Sequence, residues 1–270
     1  MMTKSPTSVL NMSDSNGGNN QTGFSTGALE RGDFRKAVSW MHDSSIRTLE
    51  LSALRYEELK PLIEGLDTLP LESFTYISLH APSAFPQSKE EEVVNLLLPV
   101  SQRGWNIVVH PDVIVTPRRW APLGERLLIE NMDRRKPVGR TAQELEKLFT
   151  ELPEARLCLD VAHARQLDTS LRLLWDIVYK FVDRIREVHI SELDSFCRHR
   201  PMSNGAVRDY RRITDRIHVQ APVIIESMID SDWVPLRLEE ITLAEEALNR
   251  NKNSGNSFRA GVTNGAMAHS

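Results

Sequence analysis

Residues 105–111 have the sequence Trp-Asn-Ile-Val-Val-His-Pro, an apolar run that ends in a histidine followed by a proline. Upstream, residues 74–80 (Phe-Thr-Tyr-Ile-Ser-Leu-His) are another largely apolar run that ends in a histidine. Downstream, residues 126–130 (Arg-Leu-Leu-Ile-Glu) contain a similar run that ends in a glutamate. Short runs of β-branched, aromatic and aliphatic residues predict β-strands. Their nearly continuous hydrophobicity is typical of parallel strands that are buried on both faces.

Polar residues end several such runs at nearly regular intervals. They are Glu50, His80, His110, Glu130, Asp160, His189 and Glu226. The intervals between them are 30, 30, 20, 30, 29 and 37 residues, and most match a strand, a helix and the return, which take about 30 residues. The predicted strands are 23–29, 47–52, 74–80, 105–110, 126–130, 155–160, 186–191 and 222–226.

Helical segments alternate with these strands, so the sequence predicts an α/β protein with a single (β/α)₈ TIM barrel. Asp33 is a predicted N-cap, and Ser88–Glu91 and Thr141–Glu144 are predicted capping boxes. The crossover from Pro111 to Glu125 is expected to be short and irregular. An open doubly wound sheet is the alternative fold, but no Gly-x-Gly-x-x-Gly turn follows the first strand.

Composition divides the 270-residue chain into a barrel domain over 23–248 and two polar tails, 1–22 and 249–270, which are predicted to be disordered. The content of 40% hydrophobic and 26% charged residues is that of an ordinary globular protein. The two cysteines, Cys158 and Cys197, are expected to be reduced thiols. With no membrane-length apolar run and no apolar signal core, the expected location is cytoplasmic.

Side chains at successive strand ends of a parallel barrel converge on one mouth, and imidazoles and carboxylates are good ligands for divalent metals. We therefore expect a site for Zn²⁺, Mn²⁺ or Fe²⁺, with one to three ions per chain. The predicted ligands are His80, His110, Glu130, Asp160, His163, His189, His199 and Glu226. Among them, Glu130 ends a strand near the middle of the barrel sequence and is placed to bridge two ions.

Ordinary structural roles compete with these functional ones. Asp160 is also a plausible helix N-cap, and Glu130 could pair with a neighbouring arginine. His163 and His199 could form a further metal site, for which Cys197 and Asp194 are candidate third ligands.

Basic residues follow the predicted ligands closely, which is consistent either with an anionic substrate, such as a phosphate ester or another small anion, or with solvated charges that balance an acidic protein. The predicted substrate-binding residues are Asn131, Arg165, Arg198 and Arg200, and Arg134, Arg135 and Lys136 lie close by in sequence. The net charge of −4 does not support a nucleic-acid partner, although it leaves room for a local basic groove. No membrane partner is expected, and the sequence does not predict the oligomeric state.

As a set, these residues resemble the xylose-isomerase-like TIM-barrel superfamily, which includes endonuclease IV, the UV-damage endonucleases and sugar phosphate isomerases and epimerases. The resemblance covers residues 23–248. In the endonucleases it implies that Glu130 bridges two metals, that His80 and His110 complete one, and that Asp160, His189 and Glu226 complete the other. His163 and His199 would hold a third ion, but Cys197 stands where endonuclease IV has an aspartate.

In the epimerase branch the resemblance implies one metal, held by Glu130, Asp160, His189 and Glu226, with the two glutamates moving protons. The sequence thus leaves two metal-dependent reactions open, with Glu130 and Glu226 as the candidate catalytic residues. Hydrolysis of a phosphoester is the first hypothesis, and isomerisation or epimerisation of a sugar or sugar phosphate is the alternative. A non-catalytic metal-binding partner module is a third possibility.

Overall fold

The computed structural model describes residues 21–44, 46–214, 221–229 and 234–248. Within these ranges, eight parallel strands close into a barrel, and the helices pack around it. The predicted TIM barrel is confirmed, and the open sheet is excluded because the first strand pairs with both the second and the last.

The strands, in chain order, are β1 (Thr22–Ser25), β2 (Thr48–Ser52), β3 (Tyr76–His80), β4 (Asn106–Val109), β5 (Leu127–Glu130), β6 (Arg156–Asp160), β7 (Ile185–Ile190), β8 (Glu192–Leu193), β9 (His199–Arg200) and β10 (Val223–Ile225). The barrel contains β1 to β7 and β10, whereas β8 and β9 form a separate antiparallel hairpin.

The helices are α1 (Phe34–Asp43), α2 (Tyr56–Gly65), α3 (Glu90–Gln102), α4 (Pro117–Trp120), α5 (Ala142–Glu151), α6 (Val161–Leu167), α7 (Arg172–Phe181), α8 (Asn204–Thr214) and α9 (Val234–Ala247). None of the helices in the described ranges is both long and apolar enough to cross a bilayer.

Alternation along each strand divides the side chains between two environments. Ile107 and Ile129 belong to the large core between strands and helices, whereas Val108, Leu128 and Cys158 form a separate cluster. Successive side chains of a strand point to opposite faces, so the second cluster fills the barrel interior. Residues two positions further along the same strands therefore point inward at the mouth.

The predicted N-cap at Asp33 is confirmed, whereas the box at Thr141 forms only in part, because the Glu144 carboxylate accepts from the Arg140 N–H and not from that of Thr141. Asp33 and Thr141 each accept a hydrogen bond from the backbone N–H three residues later, at the starts of α1 and α5. The expected box at Ser88 is wrong, because a short 3₁₀ turn occupies residues 87–89 and α3 begins at Glu90. The Glu90 carboxylate instead accepts hydrogen bonds from the backbone of the β4–β5 crossover.

Several boundaries differ from the prediction. The first strand begins at Thr22, inside the segment assigned to the N-terminal tail, and ends at Ser25 rather than Leu29. Residues 1–20 and 249–270, on which the prediction of disorder rests, lie outside the described residues. The loop expected after the seventh strand contains the β8–β9 hairpin and is followed by α8, which was not predicted. Both cysteines are free and buried, as expected.

Candidate metal centre at the barrel mouth

Glu130 lies at the centre of the converging side chains. It ends β5 and is 1% exposed. Its Oε2 atom lies 3.3 Å from His80 Nε2 and 3.1 Å from His110 Nε2. Its Oε1 atom lies 3.3 Å from His189 Nδ1. The two oxygens of one carboxylate thus face two different groups of potential ligands.

The first group consists of His80, His110 and Glu130. His80 ends β3, and His110 directly follows the neighbouring β4, so the two rings pack edge to face with centroids 5.0 Å apart. His80 Nδ1 lies 2.8 Å from the carbonyl oxygen of Ala81. Because a carbonyl only accepts hydrogen bonds, Nδ1 carries a hydrogen, and the Nε2 side of the ring is directed at Glu130.

The second group consists of Glu130, Asp160, His189 and Glu226, whose ligand atoms lie within 4.8 Å of one another. The strand register sets Asp160 beside His189, and Glu226 follows β10 directly. Among the described residues, Asp160 Oδ2, His189 Nδ1 and Glu226 Oε2 are buried without a hydrogen-bond partner. Buried polar atoms without partners are costly, and a cation among them would satisfy all three. This donor set therefore fits a divalent metal ion.

His163 and His199 are brought together beside these groups, with ring centroids 5.6 Å apart. His163 is the third residue of α6, and its Nδ1 donates to the carbonyl oxygen of Asn131 at 2.9 Å. Its Nε2 lies 3.9 Å from an oxygen of Asp133, a buried carboxylate that the sequence reasoning did not assign to the site.

The two proposed third ligands have other partners. Gln166 donates to the sulfur of Cys197, and Asp194 accepts from Arg198 and Arg200. Asp133 is also partnered, because it accepts hydrogen bonds from Arg135, but it is the carboxylate that lies beside His163 Nε2.

The predicted substrate-binding residues are engaged with the protein itself. Asn131 clamps β5 to β6, because it donates to the Asp160 carbonyl and accepts from the Asp160 N–H. Arg165 forms ion pairs with Asp209 at 2.9 Å and Glu192 at 3.1 Å. The role of these residues in substrate binding stays a prediction.

A cavity of about 210 Å³ opens over the site. Its lining residues are Ser25, Gly27, Ala28, Leu54, His80, Ser83, His110, Glu130, Arg135, His163, His199, Glu226 and Met228. Arg135 is the cation in this lining, and its side chain is 53% exposed while Nε and Nη2 contact Asp133. A larger cavity of about 290 Å³ near Trp120 and Leu152 is mainly apolar and lacks such a convergence of donors.

Burial and the mutual charges of the side chains shift the pKa values of the ionisable groups in the site. Burial raises the pKa of Asp160 to about 8, with the charges of Glu226 and Glu130 opposing ionisation further and His163 favouring it. Burial lowers the pKa of His80, but its hydrogen bond to Glu130 and the charge of Glu50 outweigh this effect and raise the pKa to about 9. The metal-free site thus holds protons at neutral pH.

Two buried glutamates were not among the predicted site residues. Glu187 lies in β7, and its Oε1 atom is 2.9 Å from His189 Nε2. Glu50 was expected at a strand end, but it lies two residues before the end of β2, with Oε2 3.1 Å from the same nitrogen. Strand alternation could have identified Glu187, because Glu187 and His189 are two residues apart and share one face of β7.

Comparisons with known proteins give little beyond the fold. No family model matches the chain, and no curated protein does. Similar solved structures include a dihydrodipicolinate synthase from Bacteroides thetaiotaomicron, with 12% identity, a TM-score of 0.45 and coverage of 80% of this chain and 68% of that chain. A Yersinia pestis dihydropteroate synthase has 13% identity, a TM-score of 0.44 and coverage of 85% and 92%. A truncated 3-deoxy-D-arabino-heptulosonate 7-phosphate synthase from Thermotoga maritima has 10% identity, a TM-score of 0.36 and coverage of 88% and 89%.

These findings correct the resemblance to the xylose-isomerase-like superfamily, which was wrong. No family model and no curated protein supports that superfamily, and the similar structures named above are synthases. The assignment to endonuclease IV and its relatives therefore no longer applies. Any parallel barrel directs strand-end side chains to one mouth, so a set of histidines and carboxylates there follows from topology and does not identify a family.

Proposed function

We propose that this chain is a divalent-metal-dependent enzyme that hydrolyses phosphate esters of a small anionic molecule. The observation that carries the proposal is the position of Glu130, whose Oε2 faces His80 and His110 and whose Oε1 faces His189. Each oxygen of this carboxylate faces a different set of potential metal ligands. Such a carboxylate suits a pair of neighbouring cations. The proposal rests on these contacts and on the chemistry of the donors, independently of any family.

The ligand assignment follows the two donor groups. His80, His110 and Glu130 would hold one ion, and Glu130, Asp160, His189 and Glu226 would hold the other. The mixture of imidazole and carboxylate ligands suits Zn²⁺, Mn²⁺ or Fe²⁺. Two such ions supply activated water and a clamp for the attacking and leaving oxygens of a phosphoryl group.

The protein's own residues bind and orient the substrate. Arg135 would contact the anionic group, because it lines the cavity with a half-exposed side chain that Asp133 holds in place. Leu54 and Met228, which are 41% and 49% exposed, also line the cavity and would cover the less polar part of the substrate. Glu226 lies at the cavity surface and is the candidate to hold or accept a proton there.

Metal content and hydrolysis test this proposal together. Protein purified without chelator should contain two ions per chain and should hydrolyse p-nitrophenyl phosphate or bis-p-nitrophenyl phosphate with added Mn²⁺ or Zn²⁺. Glu130→Gln should lose both properties. A matched control is Glu90→Gln, because Glu90 is an equally buried carboxylate that contacts the β4–β5 crossover instead of the site. One ion or none, with no hydrolysis under any metal, would overturn the proposal.

A metal-dependent isomerase of a sugar or sugar phosphate is the second candidate. It is favoured by the compactness of the second group, in which Glu130 and Glu226 lie 3.3 and 3.4 Å from the same nitrogen of His189. Two carboxylates on either side of one ion could move a proton between adjacent carbons of a substrate. Exchange of a carbon-bound substrate proton with deuterated solvent, without phosphate release, would favour this reaction over hydrolysis.

A further inference from the structure

A connected set of polar side chains lies inside the barrel beneath the candidate metal centre. Tyr76 donates its hydroxyl hydrogen to Glu187 Oε2 at 2.5 Å, and Asn106 Nδ2 donates to the Tyr76 oxygen at 3.0 Å. The other carboxylate oxygen of Glu187 lies 2.9 Å from His189 Nε2. Glu187 and His189 are both fully buried. The hydrogen bonds thus run from the start of β4 to the imidazole at the mouth.

The two ring nitrogens of His189 face different sets of carboxylates. Nε2 faces Glu187, whereas Nδ1 lies 3.3 Å from Glu130 Oε1 and 3.4 Å from Glu226 Oε1. A carboxylate that already receives the Tyr76 hydrogen on one oxygen acts as the acceptor on the other, so the hydrogen of this contact belongs to Nε2. A cation among the carboxylates at the mouth would then meet the Nδ1 lone pair.

We propose that Glu187 is a positioning residue that holds the Nε2–H of His189 and thereby presents Nδ1 to a divalent cation at the mouth. This inference rests on the proposed metal-dependent function and deepens it. Metal-binding histidines generally donate their second ring N–H to a carboxylate or carbonyl, which fixes the ring and raises its basicity. Tyr76 in turn restrains the Glu187 carboxylate through its hydroxyl hydrogen bond, and Asn106 holds the Tyr76 hydroxyl.

The neighbours of Glu187 allow one competing arrangement. Cys158, Glu187 and His189 could hold an ion inside the barrel, with Cys158 Sγ 3.9 Å from Glu187 Oε1. That ion would have to replace the hydrogen on Nε2 and break the 2.9 Å contact to Glu187. Glu50 also approaches Nε2 at 3.1 Å, so two carboxylates favour a hydrogen on this nitrogen.

Nitrogen NMR of protein labelled with ¹⁵N-histidine tests the proposal directly on the wild-type chain. On titration with Zn²⁺, the Nδ1 resonance of His189 should shift as the metal binds, while Nε2 keeps a directly bonded hydrogen. Glu187→Gln should retain the fold by circular dichroism and lose about 10- to 100-fold in Zn²⁺ affinity. The side-chain amide can offer an N–H to Nε2, which would favour the tautomer with the hydrogen on Nδ1.

Controls separate this role from general stability. Tyr76→Phe removes one donor to Glu187 and should give a smaller loss of Zn²⁺ affinity, whereas Glu90→Gln should leave the affinity and the His189 resonances unchanged. If Cys158→Ser removes one bound ion, the interior arrangement is correct and the proposal is wrong.

Two further results would also overturn the proposal, and they differ in their meaning for the enzyme. Wild-type protein that binds no Zn²⁺ would remove the proposed function and this inference together. Wild-type protein that binds Zn²⁺, with Glu187→Gln binding it equally well or with Nε2 lacking a hydrogen, would overturn only the role of Glu187.

Discussion

Asp160 and His163 are joined by a helix cap that leaves half of the carboxylate unused. The Oδ1 atom of Asp160 accepts a hydrogen bond from the backbone N–H of His163 at 2.6 Å. The Oδ2 atom is buried without a hydrogen-bond partner among the described residues and lies 3.5 Å from His163 Nδ1. The structural and functional interpretations of Asp160 are therefore compatible, because each uses a different oxygen.

Asp160→Asn should separate the two roles. The amide oxygen can still cap α6, but the amide group is a poor ligand compared with a carboxylate, so we expect a folded protein with at least tenfold weaker metal binding. Asp160→Ala should lose the cap as well, at a cost of about 1 kcal/mol in the free energy of unfolding. Isothermal titration with Mn²⁺ and urea unfolding measure the two effects. Equal metal affinity in Asp160→Asn and wild type would exclude Asp160 as a ligand.

Metal binding should release protons at neutral pH. The pKa of Asp160 is raised to about 8 and that of His80 to about 9, so both groups hold protons at pH 7 when no metal is bound. A cation must displace these protons, and affinity should therefore increase as the pH rises toward about 9. Calorimetry with Mn²⁺ in two buffers of different ionisation enthalpy measures the release. An apparent enthalpy that is the same in both buffers would contradict this expectation.

Glu90 offers a prediction about stability away from the site. Its buried carboxylate accepts hydrogen bonds from the backbone N–H groups of Val115 and Thr116 and from the Trp120 indole, and it pairs with Arg119. Burial raises the pKa of Glu90, but the hydrogen bonds outweigh it, so the pKa is lowered overall. Glu90→Gln should therefore lose about 1–3 kcal/mol in the free energy of unfolding at neutral pH.

The pH dependence of this loss has a defined sign. Because the folded state binds a proton at Glu90 less readily than the unfolded state, the stabilisation is present above pH 4.5 and is lost as the pH falls through the lowered pKa. The difference between wild type and Glu90→Gln should begin to shrink as the pH falls below about 5 and should continue to shrink through the lowered pKa, as measured by urea unfolding. A difference that is constant over this range would show that the charge on Glu90 contributes little.

Much of the fold was predictable because hydrophobic runs and their spacing report topology directly. The inward-facing members of the site follow from strand alternation: Val108 and Leu128 fill the barrel interior, and His110 and Glu130 follow each of them by two residues. Strand alternation also places Glu187 on the inward face, but it was not predicted as a site residue. It precedes His189 by two residues within the strand, and attention to strand ends alone passed over it.

Other features depended on contacts that the sequence does not specify. The β8–β9 hairpin has strands of only two residues, which is too short for a periodic signal. The partner of an arginine side chain depends on which acceptor the fold places near it. Arg165 pairs with Asp209, which is distant in sequence. Arg198, in contrast, pairs with Asp194, which is only four residues away.

Arg135 is therefore the arginine whose replacement should affect substrate binding most. Both guanidinium groups are paired with a carboxylate, Arg135 with Asp133 and Arg198 with Asp194, but Arg135 lines the cavity and Arg198 does not. A charge-assisted hydrogen bond to a phosphate oxygen contributes about 1.5–3 kcal/mol, so Arg135→Ala should raise KM for a phosphate monoester by about 10- to 100-fold. Arg198→Ala is the matched control and should change KM less than about twofold, since exposed ion pairs contribute little. Steady-state kinetics with p-nitrophenyl phosphate measures both variants. If Arg198→Ala has the larger effect, the anionic group binds toward the hairpin rather than toward Asp133 and Arg135.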